Sequence, residues 1–217
     1  MRPKTLDDIV GQDHLVGPSA PLRSLIESDR LPSVILWGPP GCGKTTLARV
    51  IAETTQSRFV SFSAVSSGIK EARQLIAQAQ DERSLGRRTL FFIDEIHRFN
   101  KAQQDAFLPH VENGTITLIG ATTENPSFEV NAALLSRARV FVLNALDETV
   151  TRKVIDRALS ETEDLAAITL TDEACDLIAQ TAEGDARRAL NTLEIIASAA
   201  AATQTQNLDI DTVRELL

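Results

Sequence analysis

The sequence predicts an α/β fold, in which a doubly wound, parallel, five-stranded sheet is followed by a small all-helical lid domain. One observation is that short apolar runs alternate with segments of helical periodicity as far as Leu143, a pattern typical of a parallel sheet. The other is that apolar positions after Leu143 recur only at helical spacing. We therefore predict an α/β domain over residues 1–144 and a helical domain over residues 145–217.

The individual elements follow from the same patterns. Strands are predicted at Val34–Trp37, Phe59–Ser63, Leu90–Ile93, Ile116–Gly120 and Val140–Leu143. A helix is expected after each of the first three strands. Helices of the second domain are predicted at Glu148–Ser160, Asp172–Thr181 and Asp185–Ala199, and from Ile210 onward. Asp147 and Thr171 precede two of these helices and are expected to cap them.

The stretch GPPGCGKT joins the first strand to the first long helix. The pattern Gly-x-x-x-x-Gly-Lys-Thr binds phosphate when a strand enters it and a helix leaves it, because the backbone N–H groups then point into one anion-sized cup. Glycines allow the positive φ values and close backbone approach that this cup needs, and the alternative of a glycine-rich turn that binds nothing is disfavoured by the two flanks. The predicted nucleotide-binding residues are Gly38, Pro39, Pro40, Gly41, Cys42, Gly43, Lys44, Thr45 and Thr46.

Two acids follow a buried apolar strand in the segment LFFIDE. Side chains at the carboxyl end of a central parallel strand face the ligand crevice. Asp94 is predicted to bind Mg²⁺ together with Thr45, and Glu95 is predicted to polarise the attacking water. An acidic helix start is the alternative, but it does not explain four apolar residues directly before the acids. Because no Asn-Lys-x-Asp motif for guanine is present, we predict ATP and Mg²⁺ as cofactors.

Polar residues near two further strands complete the predicted site. Thr123 follows the fourth strand, where it can contact both the γ phosphate and the lytic water, and we predict that it senses hydrolysis. Arginines precede the fifth strand, at Arg137 and Arg139, and stand at the start of a lid helix, at Arg187 and Arg188. A guanidinium keeps its charge and forms paired hydrogen bonds, so it suits γ-phosphate contact.

Composition excludes several classes of protein. The net charge of −8 argues against a nonspecific DNA-coating protein. The charge is uneven, since residues 1–143 carry 16 Lys and Arg against 15 Asp and Glu, whereas residues 144–217 carry 6 against 15. No apolar run is long enough to cross a membrane and the first residues lack a secretory signal. The two cysteines and the three histidines, His14, His97 and His110, form no metal-binding spacing. We expect a cytoplasmic protein, or a nuclear one in a eukaryote.

Three stretches carry a resemblance to a known family. They are GPPGCGKT, the long segment from FIDEIHRFNKAQQDAFLPH through GATTENPSFEVNAALLSRARV, and GDARRALNTLE. Together they resemble the AAA+ ATPase core of the RarA/MgsA family of replication-associated recombination proteins, which includes the eukaryotic Werner-helicase-interacting ATPase. The resemblance implies a P-loop ATPase of the AAA+ type, stimulated by DNA at stalled or gapped replication forks. It also implies a homo-oligomer, a tetramer in full-length family members, with single-strand-binding protein as a partner and association with the nucleoid.

The family's functional residues can be carried over to matching positions. Lys44 and Thr45 match the Walker A pair, and Asp94 and Glu95 match the Walker B pair. The resemblance further implies that Thr123 is sensor 1, Arg137 the arginine finger and Arg187 sensor 2. Ile9 and Val10, in DDIVGQ, match the stretch that lies against adenine. The DNA-contact candidates are Lys70 and Arg73 in SSGIKEARQL, with Arg98 and Lys101 in HRFNK as further ones.

Family members continue past Leu217, so the resemblance implies a core without its oligomerisation region, monomeric or weakly associated by itself. Two other functions remain open from the sequence. One is a clamp-loader-like ATPase subunit, whose turnover a protein clamp would stimulate. The other is a nonenzymatic scaffold that binds ATP only to fix its shape, which the intact Glu95 argues against.

Overall fold

The computed structural model describes residues 2–64, 69–162, 165, 167–203 and 205–216. The chain forms two compact units. One unit contains residues 3–38 and 43–143, and the other contains residues 39–42 together with the chain from Asn144 onward. Within the described residues, no helix is both long enough and apolar enough to cross a membrane.

A five-stranded sheet forms the centre of the first unit. Its strands are β1 (Ser33–Trp37), β2 (Arg58–Ser63), β3 (Thr89–Asp94), β4 (Thr117–Thr122) and β5 (Ala138–Val142). They lie in the order β2-β3-β4-β1-β5, and every neighbouring pair is parallel. The helices of this unit are α1 (Asp13–Val16), α2 (Pro21–Glu27), α3 (Lys44–Thr54), α4 (Ile69–Ser84), α5 (Lys101–Asp105), α6 (Leu108–Glu112), α7 (Pro126–Glu129) and α8 (Ala132–Leu135).

Burial explains why the three central strands read as continuous apolar runs. In β1, Val34, Ile35 and Leu36 are completely buried, as are Phe91 and Phe92 in β3. A strand covered on both faces by helices has no solvent side, so its sequence does not alternate. The outer strand β5 differs, because Val140 and Val142 are exposed.

An aromatic cluster supports the turn that follows β3. The ring centroid of Phe99 lies 5.7 Å from that of Phe62 and 5.9 Å from that of Phe107. Phe91 lies 6.0 Å from Phe62 and 5.8 Å from Phe107. Tilted and offset rings at such separations attract each other beyond their area of burial. The cluster therefore fixes the chain just beyond the end of β3.

The order of the strands in the sheet differs from their order along the chain. β2 lies at the edge of the sheet, beyond β3, and the strand between β1 and β3 is β4. Parallel pairing of β4 with both neighbours is a long-range choice that local patterns do not encode. The helix expected after the third strand is present as two short helices, α5 and α6, which follow a 3₁₀ turn at Ile96–Arg98.

The second unit is largely helical. It contains α9 (Glu148–Glu161), α10 (Asp172–Thr181), α11 (Ala186–Thr203) and α12 (Ile210–Leu216). The side-chain oxygen of Asp147 accepts the Val150 N–H at 2.7 Å, and the Thr171 hydroxyl accepts the Ala174 N–H at 3.3 Å, so the expected caps of α9 and α10 are confirmed. The prediction of an all-helical unit is wrong in one detail, since β6 (Thr169–Leu170) pairs in parallel with β7 (Asn207–Leu208).

The core of the second unit is aliphatic. Its completely buried residues are Ile155, Ala158, Ala174, Ile178, Ala189, Leu193, Ile196 and Val213. On its surface Arg152 bridges α9 and α10, because its guanidinium lies 2.8 Å from the Asp156 carboxylate and 2.6 Å from those of Asp172 and Asp176. These hydrogen bonds, that to Asp156 foremost, raise the pKa of Arg152 above its ordinary value.

Candidate nucleotide-binding site

The loop between β1 and α3 has the backbone geometry of an anion cup. Gly41 and Gly43 have φ values of 69° and 102°, in the left-handed region that favours glycine. Gly43 caps α3, which begins at Lys44. The first N–H groups of a helix have no partner within the helix, and the helix dipole places partial positive charge there. The loop is therefore suited to hold a phosphate chain with its main chain.

Lys44 is positioned across this loop. Its side chain is buried, with 7% of the residue exposed, and its ammonium donates to the Gly38 carbonyl at 2.7 Å. The Gly38 N–H in turn donates to the Thr122 carbonyl at 3.2 Å, which ties the loop to the end of β4. A buried ammonium needs compensating negative charge or carbonyl oxygens. An incoming phosphate can supply that charge.

Asp94 and Glu95 stand where β3 ends. Asp94 is the last residue of the strand, and its carboxylate side chain is partly exposed. Glu95 has φ 54° and ψ 49°, a left-handed conformation that is uncommon outside glycine. Such backbone costs on the order of 1–3 kcal/mol and is concentrated at functional sites. The 30% exposed Glu95 side chain can reach solvent, which a residue that polarises water must do.

The neighbour of Glu95 was not predicted. It is His97, whose Nε2 lies 3.3 Å from Oε2 of Glu95. Its Nδ1 lies 2.8 Å from Oγ1 of Thr122, at the end of β4. The His97 side chain is only 10% exposed. The sequence shows that His97 stands two residues after Glu95. It does not show that β4, which carries Thr122, lies beside this turn.

Thr123 directly follows β4 and is partly exposed. β4 lies between β1 and β3, with Thr122 paired to Trp37 and Gly120 paired to Ile93. The carboxyl ends of the three strands are therefore neighbours at one edge of the sheet. This edge brings together the predicted residues Lys44, Thr45, Asp94, Glu95 and Thr123.

The predicted finger Arg137 is engaged within its own chain. Its Nη2 lies 2.6 Å from Oε1 of Glu112, and its Nη1 donates to the Ala133 carbonyl and to the Ser136 hydroxyl, both at 2.9 Å. The Arg137 side chain is 41% exposed. These contacts fix the direction of the guanidinium on the surface of the first unit.

Ile9 and Val10, the predicted adenine contacts, follow a 3₁₀ turn at Leu6–Asp8. That turn packs against α3, and both apolar residues are partly exposed. An accessible apolar segment therefore lies beside α3, the helix that follows the phosphate loop. A purine ring can be buried on such a surface.

In the second unit, the loop residues 39–42 pack with the start of α11. A Cβ built at Gly41 would overlap the Asp185 carboxylate and lie 2.7 Å from the Asp185 Cα. The same carboxylate accepts the N–H groups of Arg187 at 2.8 Å and Arg188 at 3.1 Å. Asp185 therefore caps the helix that carries Arg187, while Arg188 pairs with Glu183 at 2.6 Å. The close approach to Gly41 was not predicted.

The four DNA-contact candidates all lie in the first unit. Lys70 and Arg73 are exposed on α4, Arg98 is exposed at the end of the 3₁₀ turn, and Lys101 is exposed at the start of α5. Residues 66–68 of the segment SSGIKEARQL lie outside the described residues.

The oxygen atoms at the site suit Mg²⁺ better than a metal that is bound by protein side chains alone. Thr45, in the first turn of α3, and Asp94 offer oxygen atoms and are partly exposed. The residues that the structure describes contain no cluster of three or more His, Cys, Asp or Glu side chains able to hold a metal. Mg²⁺ in nucleotide sites is held by one or two protein oxygens together with phosphates and water.

Comparisons with protein families identify the class of this site. The model of the AAA family, described as ATPase family associated with various cellular activities, matches residues 34–146, and that of an AAA C-terminal domain matches residues 163–217. Replication-associated recombination protein A of Escherichia coli strain K12 is 54% identical over 203 residues, which cover 92% of this chain and 45% of the relative. ATPase WRNIP1 of Dictyostelium discoideum is 45% identical over 207 residues, covering 94% and 24%. The chain thus spans about half or less of the length of these relatives.

Solved structures give the same result. The chain is similar to the Thermotoga maritima RuvB Holliday junction branch migration motor, with a TM-score of 0.82 and 28% identity over 99% of this chain and 71% of that one. The fold class predicted from the sequence is confirmed, apart from the small β6–β7 pair. The resemblance to the replication-associated recombination proteins is also confirmed, and the match to a family of ATPases supports the prediction of an ATP hydrolase.

The close packing at Gly41 leads to a prediction. The Gly41→Ala variant should lose both stability and ATP affinity, because the methyl group meets Asp185 and the residue must keep a positive φ. We expect a loss of stability of about 2–4 kcal/mol in urea unfolding and a Kd for ATP, measured by calorimetry, raised at least about tenfold.

Gly86→Ala is the matched control, since Gly86 has a φ of 76° and open space around it. It should cost only about 1 kcal/mol from backbone strain and leave ATP affinity unchanged. Equal effects of the two substitutions would contradict the prediction.

Proposed function

Because the chain belongs to the AAA family of ATPases, we propose that it is the motor core of a replication-associated recombination protein that hydrolyses ATP at stalled or gapped replication forks. In this proposal residues 1–144 bind the nucleotide and residues 145–217 form a lid. The observation that carries the proposal is the shared carboxyl edge of β1, β4 and β3, which presents the phosphate loop, Thr123 and Glu95 side by side. The 54% identity to the Escherichia coli recombination protein supports the choice of pathway.

The site performs hydrolysis through positioning and charge. The amides at the start of α3 and the Lys44 ammonium bind the phosphates, while Ile9 and Val10 cover the adenine. Glu95 orients and polarises the attacking water at the end of β3. Thr123, directly after the neighbouring strand β4, contacts the γ phosphate and so distinguishes ATP from ADP.

Mg²⁺ would be held by Thr45 and Asp94, whose oxygens suit it. When bound, the ion neutralises part of the negative charge on the β and γ phosphates. Arg187, at the start of α11, is proposed to bind the γ phosphate from the lid. Its helix is capped by Asp185, which fixes the backbone from which Arg187 extends.

Arg137 is proposed to complete the site of a neighbouring protomer. An arginine supplied in trans can accelerate hydrolysis about 10³- to 10⁵-fold, or about 4–7 kcal/mol of transition-state stabilisation. We propose that the full-length protein is a homotetramer and that this chain alone is monomeric or weakly associated. DNA at a fork or gap and single-strand-binding protein are the proposed partners, in the cytoplasm and on the nucleoid.

Complementation tests the shared site. Arg137→Ala protomers keep an intact loop but supply no finger, whereas Lys44→Ala protomers supply a finger but bind no phosphate. Mixed at a concentration at which protomers associate, the two variants should release phosphate at a rate well above the sum of their separate rates, because the intact site of an Arg137→Ala protomer then receives Arg137 from a Lys44→Ala neighbour. A mixed rate equal to the sum would contradict hydrolysis in trans.

Stimulation by DNA tests the proposed pathway. We expect a forked duplex to increase the rate of phosphate release several-fold over the rate without DNA, and the Glu95→Gln variant to keep only a slow residual rate in both conditions. A clamp-loader-like subunit, the second candidate, would instead respond to a protein clamp. An ATPase rate that DNA leaves unchanged would remove the fork from the proposal without affecting the ATPase assignment.

The exposed cations Lys70 and Arg73 give a quantitative test of DNA contact. Replacing both by Ala should reduce the slope of log K for DNA binding against log salt concentration by about 2, because each phosphate contact releases about one counterion. The control is Lys153→Ala with Arg214→Ala, which removes the same two side-chain types from the exposed surface of the second unit. If the slope is unchanged in both double variants, Lys70 and Arg73 do not contact phosphates.

A further inference from the structure

His97 connects two strand ends at the site. It lies in the 3₁₀ turn after β3, and its ring contacts the Glu95 carboxylate through Nε2, at 3.3 Å, and the Thr122 hydroxyl through Nδ1, at 2.8 Å. Thr122 is the last residue of β4 and is completely buried. The ring is thus a bridge between the end of β3 and the end of β4.

The proton positions along this bridge follow from what each group can do. A carboxylate only accepts, so the nitrogen facing Glu95, Nε2, is the one that must carry a proton. The Thr122 oxygen accepts the Glu124 N–H at 3.0 Å. Its own proton has two acceptors, the Glu124 carbonyl at 3.3 Å and Nδ1 of His97 at 2.8 Å, and the nearer Nδ1 is free to accept when Nε2 carries the ring proton. The chain of hydrogen bonds therefore runs from the Glu124 backbone N–H through the Thr122 hydroxyl and the His97 ring to the Glu95 carboxylate, which only accepts.

The Glu95 side chain needs such a holder. Its backbone is in the left-handed region, and its carboxylate is 30% exposed. A partly exposed side chain of this length samples several rotamers. Holding it in the one rotamer that aligns a water molecule for attack costs conformational entropy. A fixed partner on one carboxylate oxygen leaves the other oxygen directed to the water.

We propose that His97 is a positioning residue for ATP hydrolysis, which holds the Glu95 carboxylate in place by anchoring it to Thr122 of β4. The inference rests on the proposed role of Glu95. Because Thr123 is the next residue after Thr122, a shift of Thr123 on loss of the γ phosphate reaches Glu95 through two side-chain contacts. The bridge therefore couples γ-phosphate sensing to the orientation of the residue that activates water.

Single-turnover hydrolysis with protein in excess over ATP tests this role, together with ATP affinity from calorimetry. We expect His97→Ala to lower the hydrolysis rate about tenfold or more while the Kd for ATP changes less than about twofold, because only the chemical step needs the aligned carboxylate. His97→Gln should recover part of the rate, since its amide can donate to Glu95. His110→Ala is the matched control and should keep the full rate.

A second pair of variants guards against loss of folding in His97→Ala. Thr122→Val replaces the hydroxyl by a methyl group of similar size and should lower the rate several-fold, whereas Thr122→Ser keeps the hydroxyl and should retain most of the rate. A full rate in both His97→Ala and Thr122→Val would overturn the proposal.

The double variant separates positioning from a structural role. If His97 acts through Glu95, adding His97→Ala to Glu95→Gln should cause no further loss, because the carboxylate that it holds is already absent. The same fold loss in both backgrounds would overturn the proposal while leaving Glu95 as the activating residue. A full rate in Glu95→Gln alone would instead overturn the role proposed for Glu95, and the present inference with it.

Discussion

Parallel pairing brings every carboxyl end of a sheet to the same edge, and the chemistry of this protein depends on that constraint. β4 lies between β1 and β3, so the phosphate loop, Thr123 and the acids Asp94 and Glu95 become neighbours although they are far apart in the sequence. The central strands are completely buried at positions such as Ile35 and Phe92. Their burial makes the edge rigid enough to hold side chains in fixed relative positions.

Sequence patterns were sufficient wherever the determining contacts are local. The phosphate loop needs particular residues within eight positions, and its glycines have the positive φ values that the pattern requires at Gly41 and Gly43. The caps Asp147 and Thr171 act on N–H groups three residues later. The strands were found because a strand covered on both faces has an uninterrupted apolar sequence.

Contacts between distant segments were not predictable in the same way. His97 and Thr122 are 25 positions apart, and their contact exists only because β4 pairs with β3. The β6–β7 pair was missed because two-residue strands have no periodicity to detect. Likewise, nothing near Asp185 in the sequence indicates that its carboxylate fills the space beside Gly41. Only the assembled chain supplies this information.

The pairing of Arg137 with Glu112 affects how easily the guanidinium changes partners. Both side chains are close to half exposed, so water screens the pair and it contributes at most about 1 kcal/mol. In the role proposed for Arg137, a phosphate of the neighbouring site carries more charge than one carboxylate and would displace Glu112 with little loss of energy. Meanwhile the carbonyl of Ala133 and the hydroxyl of Ser136 keep the other end of the guanidinium in register. A guanidinium held at one end in this way has less rotamer entropy to lose in the exchange of anions that its proposed role requires.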